Sequence, residues 1–126
     1  MNSPKTLTKA EEQLMQVLWK LGKGFLKDII DSTPEPKPHS NTIATILKIL
    51  VDKGFVEYTV HGRNNLYNPR ISQAEYGKKS VNQLVKGYFG GSPARLVSQF
   101  ISDQKLSDQE LEQLFQQIQS AKNSRL

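Results

Sequence analysis

A chain of 126 residues, 37% hydrophobic and 23% charged, is sized for one or two small domains and is too short for a TIM barrel or a two-domain dinucleotide enzyme. Lys and Arg number 17 against 12 Asp and Glu, a net charge of +5 that leans toward an anionic partner such as nucleic acid. The absence of cysteine excludes disulfides, thiol chemistry and cysteine-based metal sites, and two histidines, His39 and His61, are too few for a histidine-built metal site in one chain.

The first helix is expected from about Thr8 to Leu21. Thr8 and Glu11 form a capping box, and Leu14, Val17, Leu18 and Leu21 make an apolar stripe with Met15 on its flank and Trp19 at its edge. Glu11 and Glu12 read as helix-surface charges rather than an acid/base pair. A short second helix, about Phe25 to Asp31, would bury Leu26, Ile29 and Ile30. Pro34, Pro36 and Pro38 then stand at alternate positions, which forces an extended loop. The third helix is expected over Ser40–Lys53, capped by Ser40 and stopped by Gly54. Ile43, Ile46, Leu47, Leu50 and Val51 give it one buried face.

The period then changes from helical to alternating. Phe55–Val60 is rich in aromatic and β-branched residues, His61–Asn65 has turn chemistry, and Leu66–Ile71 returns as a second strand. This is the single hairpin expected in the chain. Three further helices follow, at about Ser72–Phe89, Ser92–Ser102 and Ser107–Ala121. Ser72 with Glu75 and Ser107 with Glu110 repeat the capping-box pattern, and Gly90-Gly91-Ser92-Pro93 reads as a stop followed by a restart.

Three helices and a hairpin make a winged helix-turn-helix. The fold class is therefore mostly α with a small β-hairpin wing, and a C-terminal helical dimerisation region follows it. The expected boundaries are 1–71 for the DNA-binding domain and 72–126 for the helical region. The latter is short for a core of its own. Its apolar positions are Val81, Leu84, Val85, Tyr88, Phe89, Leu96, Val97, Phe100, Ile101, Leu111, Leu114, Phe115 and Ile118. They would fold back on the first domain or bury against a second copy. A second copy is preferred, because two heads suit a two-fold DNA site.

On the third helix, Asn41, Thr45, Lys48 and Asp52 lie opposite the core, with Thr42 on the flank. Asn pairs with adenine, Thr bonds bases or touches a thymine methyl, and Lys reaches guanine or phosphate. Ser40 and Asn41 also open the helix, where free N–H groups and the dipole favour a phosphate. At the wing, Gly62 permits the turn, Arg63 projects from it, and His61 sits beside it. An Arg there can enter a minor groove or hold a phosphate. Lys37 and Arg70 would add phosphate contacts. Between Lys37 and Arg70 five basic side chains face two acidic ones, so tight binding requires more than one protomer. Trp19 and Tyr58 read as packing residues rather than a base-stacking platform.

The sequence resembles the penicillinase (β-lactamase and methicillin-resistance) repressor family from about Leu7 to Ala121. The matching features are Leu7-Thr8, Glu11, Met15 and Trp19, then Thr42-Ile43, Thr45, Leu47, Leu50 and Val51-Asp52-Lys53-Gly54. Gly62-Arg63, Tyr67 and Pro69 follow in the wing, and Gly91-Ser92-Pro93, Leu96-Val97, Phe100 and Leu106-Ser107 in the tail. The resemblance implies a homodimeric repressor on a double-stranded, inverted-repeat operator, read by Asn41, Thr42, Thr45 and Lys48 with Arg63 at the wing. It also implies release by a membrane sensor protease that triggers cleavage before a Phe, by position Gln99–Phe100. Gln99 stands where the family carries Asn, which weighs against that cleavage, and Ile49 stands where it carries Arg. Copper-responsive members use cysteine pairs that this chain lacks.

Two other readings differ in class. One is a winged-helix module that binds a protein, and the other is a regulator whose helical tail encloses a small ligand. No activated nucleophile, metal set or glycine-rich phosphate loop points to an enzyme, and no cofactor is implied. No apolar run approaches the ~20 residues of a membrane span. Met1–Ala10 lacks the apolar segment of a signal peptide, so a cytoplasmic location without membrane insertion is expected.

Overall fold

A computed structural model describes residues 6–125. The element order is α1 (Lys9–Leu21), β1 (Gly24–Phe25), α2 (Leu26–Ser32), α3 (Ser40–Lys53), β2 (Val56–His61), β3 (Asn64–Pro69), α4 (Gln73–Tyr88), α5 (Pro93–Ser102) and α6 (Asp108–Ser124). The chain divides into two compact units, Met1–Lys78 and Lys79–Leu126, and the division falls inside α4.

The capping boxes expected at three helix starts all form. The Thr8, Ser72 and Ser107 hydroxyls accept from the N–H groups of Glu11, Glu75 and Glu110, and each Glu carboxylate accepts from the backbone N–H of its cap. Each box satisfies two helix-end donors that would otherwise lack partners.

The core of the first unit joins α1, α2, α3 and β2. Leu14, Met15, Val17 and Leu18 meet Ile29, then Ile43, Leu47 and Leu50, and finally Val56. Met15, read as flanking, is fully buried, whereas Leu21 lies at the exposed margin. The flexible thioether fills space among branched neighbours, and the stripe rotates toward Met15 as a result. Leu26 and Ile30 are only half-buried beside Ile29.

The wing differs from the expected single hairpin. Its sheet has three antiparallel strands in the order β1–β3–β2. Gly24 and Phe25 pair with Tyr67 and Leu66, so Phe25, read as the start of the second helix, belongs to a strand. The helix begins one residue later, where the Asp28 carboxylate accepts from the Phe25 N–H at 2.9 Å. The hairpin turn is also tighter than expected. His61 pairs with Asn64, leaving Gly62-Arg63 as a two-residue turn in which Gly62 has φ +63°. Such turns require positive φ and match the twist of the strands they join.

The first turn of α4 packs within the first unit. Trp19 Nε1 donates to the Ile71 carbonyl at 2.8 Å, and the Tyr76 ring lies 5.9 Å from both Trp19 and Phe55. Gln73 donates to Gln16, and the Tyr76 hydroxyl donates to Glu12.

In the second unit, α5 is capped by Ser92 with Pro93 at its first position. Val85 is the one buried apolar side chain among the described residues beyond Lys78.

Candidate nucleic-acid interface

The site is assembled by α3 and the wing. Burying Ile43, Leu47 and Leu50 orients α3, because residues at helical spacing share a face. Asn41, Thr42, Thr45, Lys48 and Asp52 are consequently exposed together. The Thr45 hydroxyl donates to the Asn41 carbonyl at 2.9 Å, so its lone pairs remain to accept. Lys48 and Arg63 take part in no ion pair among the described residues.

The C-terminal end of α3 sets the wing. Gly54 adopts the left-handed conformation, φ 86° and ψ 14°, that ends the helix. The Phe55 N–H then returns to the Leu50 carbonyl at 3.0 Å, and the Arg70 N–H donates to the Phe55 carbonyl at 2.8 Å. The wing is thus tied to α3 through backbone hydrogen bonds.

The N-terminal end of α3 is a correction. Ser40 is the first helical residue, not the cap; His39 caps the helix, with Nδ1 accepting from the Asn41 N–H at 3.1 Å. Ser, Asn and Asp lead the preferred caps, so propensity pointed to Ser40. The extended backbone of His39, φ −59° and ψ 146°, after Pro38 places the imidazole over the first turn instead.

His61, read as part of the turn, belongs to a strand. It ends β2, contacts the Thr59 hydroxyl at 3.2 Å and meets the Phe25 ring edge-on at 6.0 Å. Lys37 reaches the Asp31 carbonyl at 3.4 Å. Arg70 lies 3.7 Å from Glu57, with both side chains largely exposed, a geometry worth little in water. Tyr58 and Tyr67 pair across the strands at 5.7 Å, as packing residues would.

Glu11, read as a surface charge, is buried. Its Oε1 accepts from Lys53 Nζ at 2.7 Å, and Lys53 also donates to the Thr6 carbonyl. Burial alone would raise the Glu11 pKa. The hydrogen bonds from Lys53 and Thr8 and the Lys53 charge outweigh that and hold it below the ordinary glutamate value. The Lys53 charge is thereby paired within the first unit. The capping-box position of Glu11 was its only sequence signal.

The tail residues fall on α4 to α6, except Phe89, which lies one residue beyond α4. Val81, Leu84, Tyr88, Val97, Phe100, Ile101, Phe115 and Ile118 are exposed in the single chain, while Phe89, Leu96, Leu111 and Leu114 are half-buried. Gln99 and Phe100 lie inside α5, and the Gln99 amide donates to both Asp103 oxygens at 3.1 and 3.0 Å. No group of three or more potential metal ligands occurs among the described residues. No helix of the described residues is long and apolar enough to cross a membrane.

Three helices, a small antiparallel sheet and a hairpin anchored to the third helix define a winged helix-turn-helix protein. The chain matches the penicillinase repressor family over residues 7–120, and it belongs to that family. It is similar to the penicillinase repressor of Bacillus licheniformis, at 26% identity over 93% of this chain and 92% of that protein. It is also similar to the methicillin resistance regulatory protein MecI of Staphylococcus aureus, at 24% identity over 90% of this chain and 93% of that protein. Among solved structures, the DNA-binding domain of the repressor BlaI superposes with a TM-score of 0.53 at 27% identity. That match covers 60% of this chain and 94% of the BlaI domain.

Proposed function

We propose that this protein is a homodimeric transcriptional repressor that occupies an inverted-repeat operator in cytoplasmic DNA. The observation that carries the reading is the exposed face of α3, with Asn41, Thr42, Thr45 and Lys48 on one side and the Gly62-Arg63 turn on a wing tied to the same helix. Ser40, Asn41, Thr42, Thr45 and Lys48 would face the major groove, while Lys37, His61 and Arg63 would hold the backbone or the adjacent minor groove. Membership of a family of repressors and the likeness to the BlaI DNA-binding domain support the same assignment.

The apolar side chains exposed on α4, α5 and α6 supply the second half of the proposal. Isolated surface apolar residues are ordinary, but these recur along three helices of a unit with one buried apolar side chain among its described residues. Pairing two copies would cover them and link two reading heads, so the second head binds at high effective concentration. Cleavage at Gln99–Phe100, triggered by a membrane sensor protease, would undo that link. A loss of ~3–4 kcal/mol releases an operator about 10²–10³-fold. The helical setting of this bond means α5 must open locally before a protease can engage it.

The test is enrichment of random duplexes by the full-length chain, followed by gel shift at graded salt. An enriched inverted repeat with steep salt dependence is expected. Stable complexes with a protein and no duplex preference would instead identify an interaction module. Operator release by a small molecule from uncut protein would identify a ligand sensor.

A further inference from the structure

One face of the wing leaves the core as an exposed strip beside α3. We propose that this face is a second duplex-contacting surface, in which the Tyr58 hydroxyl donates to a backbone phosphate and Val60 covers the neighbouring deoxyribose. The inference rests on the reading of α3 as the DNA-contacting helix.

Strand alternation sets the faces. Val56, Tyr58 and Val60 share one side of β2, and Glu57, Thr59 and His61 share the other. Val56 is buried in the core with Leu47 and Leu50 of α3, so its side of the sheet is the one turned toward that helix. Farther along the same side the core ends, and Tyr58 is 44% and Val60 68% exposed. Their cross-strand partners, Tyr67 and Asn65, are half-buried. The Tyr58 ring lies 5.7 Å from that of Tyr67, and its hydroxyl has no hydrogen-bond partner among the described residues. A tyrosine hydroxyl in that state has a proton to donate.

Charge and area select the occupant. The outer side of β2 carries Glu57, which repels a phosphate, whereas the inner side carries no carboxylate. Of the wing's arginines, Arg70 lies 3.7 Å from Glu57, and Arg63 alone has no carboxylate within ion-pair distance among the described residues. Tyr58 stands four positions before Gly62, roughly 13 Å along an extended strand, so the two side chains can hold the duplex at separate points. A strip with two exposed side chains is small beside the ~800 Å² that each partner buries in a stable protein interface. A sugar–phosphate strand already seated along α3 needs no such area.

The contact has a signature of its own. Sugar and phosphate are the same at every base pair, so it adds affinity without sequence preference. Tyr58 and Val60 are uncharged, so it adds nothing to the counterion release that sets the salt slope. Arg63 differs from both in that respect.

The experiment titrates the operator enriched by the full-length chain, and a scrambled duplex, at graded salt. Wild type is compared with Tyr58→Phe, Val60→Asp and Thr59→Asp, and each free protein is sedimented. Tyr58→Phe keeps the ring against Tyr67 and removes only the hydroxyl, so its melting temperature should not move. It should bind both duplexes more weakly, by about threefold for each head engaged, with an unchanged salt slope. Replacing operator phosphates one at a time by neutral methylphosphonate should reveal a position in each half-site that weakens wild type and leaves Tyr58→Phe unaffected. Val60→Asp and Thr59→Asp place the same charge on opposite sides of β2, and the first should weaken binding severalfold more than the second. Tyr58→Phe that binds as wild type does, a loss confined to the operator, or equal effects of the two Asp variants overturns the proposal. A changed sedimentation of Tyr58→Phe or Val60→Asp with duplex affinity intact also overturns it and gives the face to a second copy. Wild type that binds no duplex at all defeats the repressor reading and this surface together, whereas wild type that binds and is matched by its variants defeats this surface alone.

Discussion

Lys53 Nζ lies 2.7 Å from Glu11 Oε1 and joins the C-terminal turn of α3 to the N-terminal turn of α1. The two partners are not equivalent. The Glu11 side chain is 7% exposed and that of Lys53 is 27%, so an orphaned Lys53 can swing into water and an orphaned Glu11 cannot. Lys53→Met should therefore destabilise more than Glu11→Gln. The expected losses are roughly 2–3 kcal/mol and about 1 kcal/mol, smaller than for fully buried pairs. Denaturant unfolding followed by the emission of Trp19, the only tryptophan, measures both.

The same pair predicts an acid dependence. Glu11 has a folded-state pKa below its ordinary value, so the unfolded chain binds its proton first as pH falls. The stabilisation is fully present above about pH 5 and is lost as pH falls below ~4, toward the depressed folded value. Glu11→Gln should remove this part of the acid loss. A melting temperature that declines between pH 5 and 3 equally in wild type and variant would refute it.

The wing turn separates a backbone effect from a binding effect. Gly62 has φ +63°, and nothing lies within 4 Å of where a Cβ would stand. Gly62→Ala should cost roughly 1–2 kcal/mol through conformation alone, and Gly62→Asn less. Arg63→Ala should leave stability unchanged, weaken binding to all duplexes, and reduce the logarithmic salt slope by about 1. If Arg63→Ala instead altered which bases are preferred, the wing would be reading sequence rather than phosphate.

Much of this fold could be read from the chain because strong local signals agreed with burial. The three capping boxes, the Ile43-Leu47-Leu50 face and the Gly54 stop all depend on neighbours within one or two turns. What escaped was non-local. The two residues of β1 are too few to show a period, and their pairing with Leu66 and Tyr67 lies more than 40 positions away. Glu11 is buried because Lys53 reaches it across 42 positions, and the spacing of charges along α1 carries no trace of that. His39 was missed for a different reason. Cap preferences rank Ser and Asn above His, and here Pro38 and the extended backbone at His39 decide the matter.

Base reading is predicted at two exposed positions of α3. Asn41→Ala and Thr45→Ala should each lower discrimination against a changed base by ~1–3 kcal/mol while leaving nonspecific affinity within a factor of a few. Neither side chain is buried, so the melting temperature should stay within the range of surface changes. Competition between operator and single-base variants measures the effect. Uniform weakening across all sequences would place these residues on the backbone instead.

The tail offers the sharpest test of pairing. Phe115 and Ile118 are 53% and 55% exposed on α6, three positions apart on one face. If that face meets a second copy, Phe115→Asp introduces a charge that the dimer must desolvate without a partner, whereas a lone chain tolerates it in water. Sedimentation at micromolar concentration should show wild-type dimers and variant monomers. The head is unaffected by this reasoning, because Trp19 bonds to Ile71 and packs on Tyr76 within the first unit. Trp19 emission should stay unchanged. Operator affinity should fall about 10²–10³-fold and the salt slope should drop toward half, since one head neutralises half the phosphates. A variant that still sediments as a dimer and binds with the full slope would mean that the heads are joined through another face.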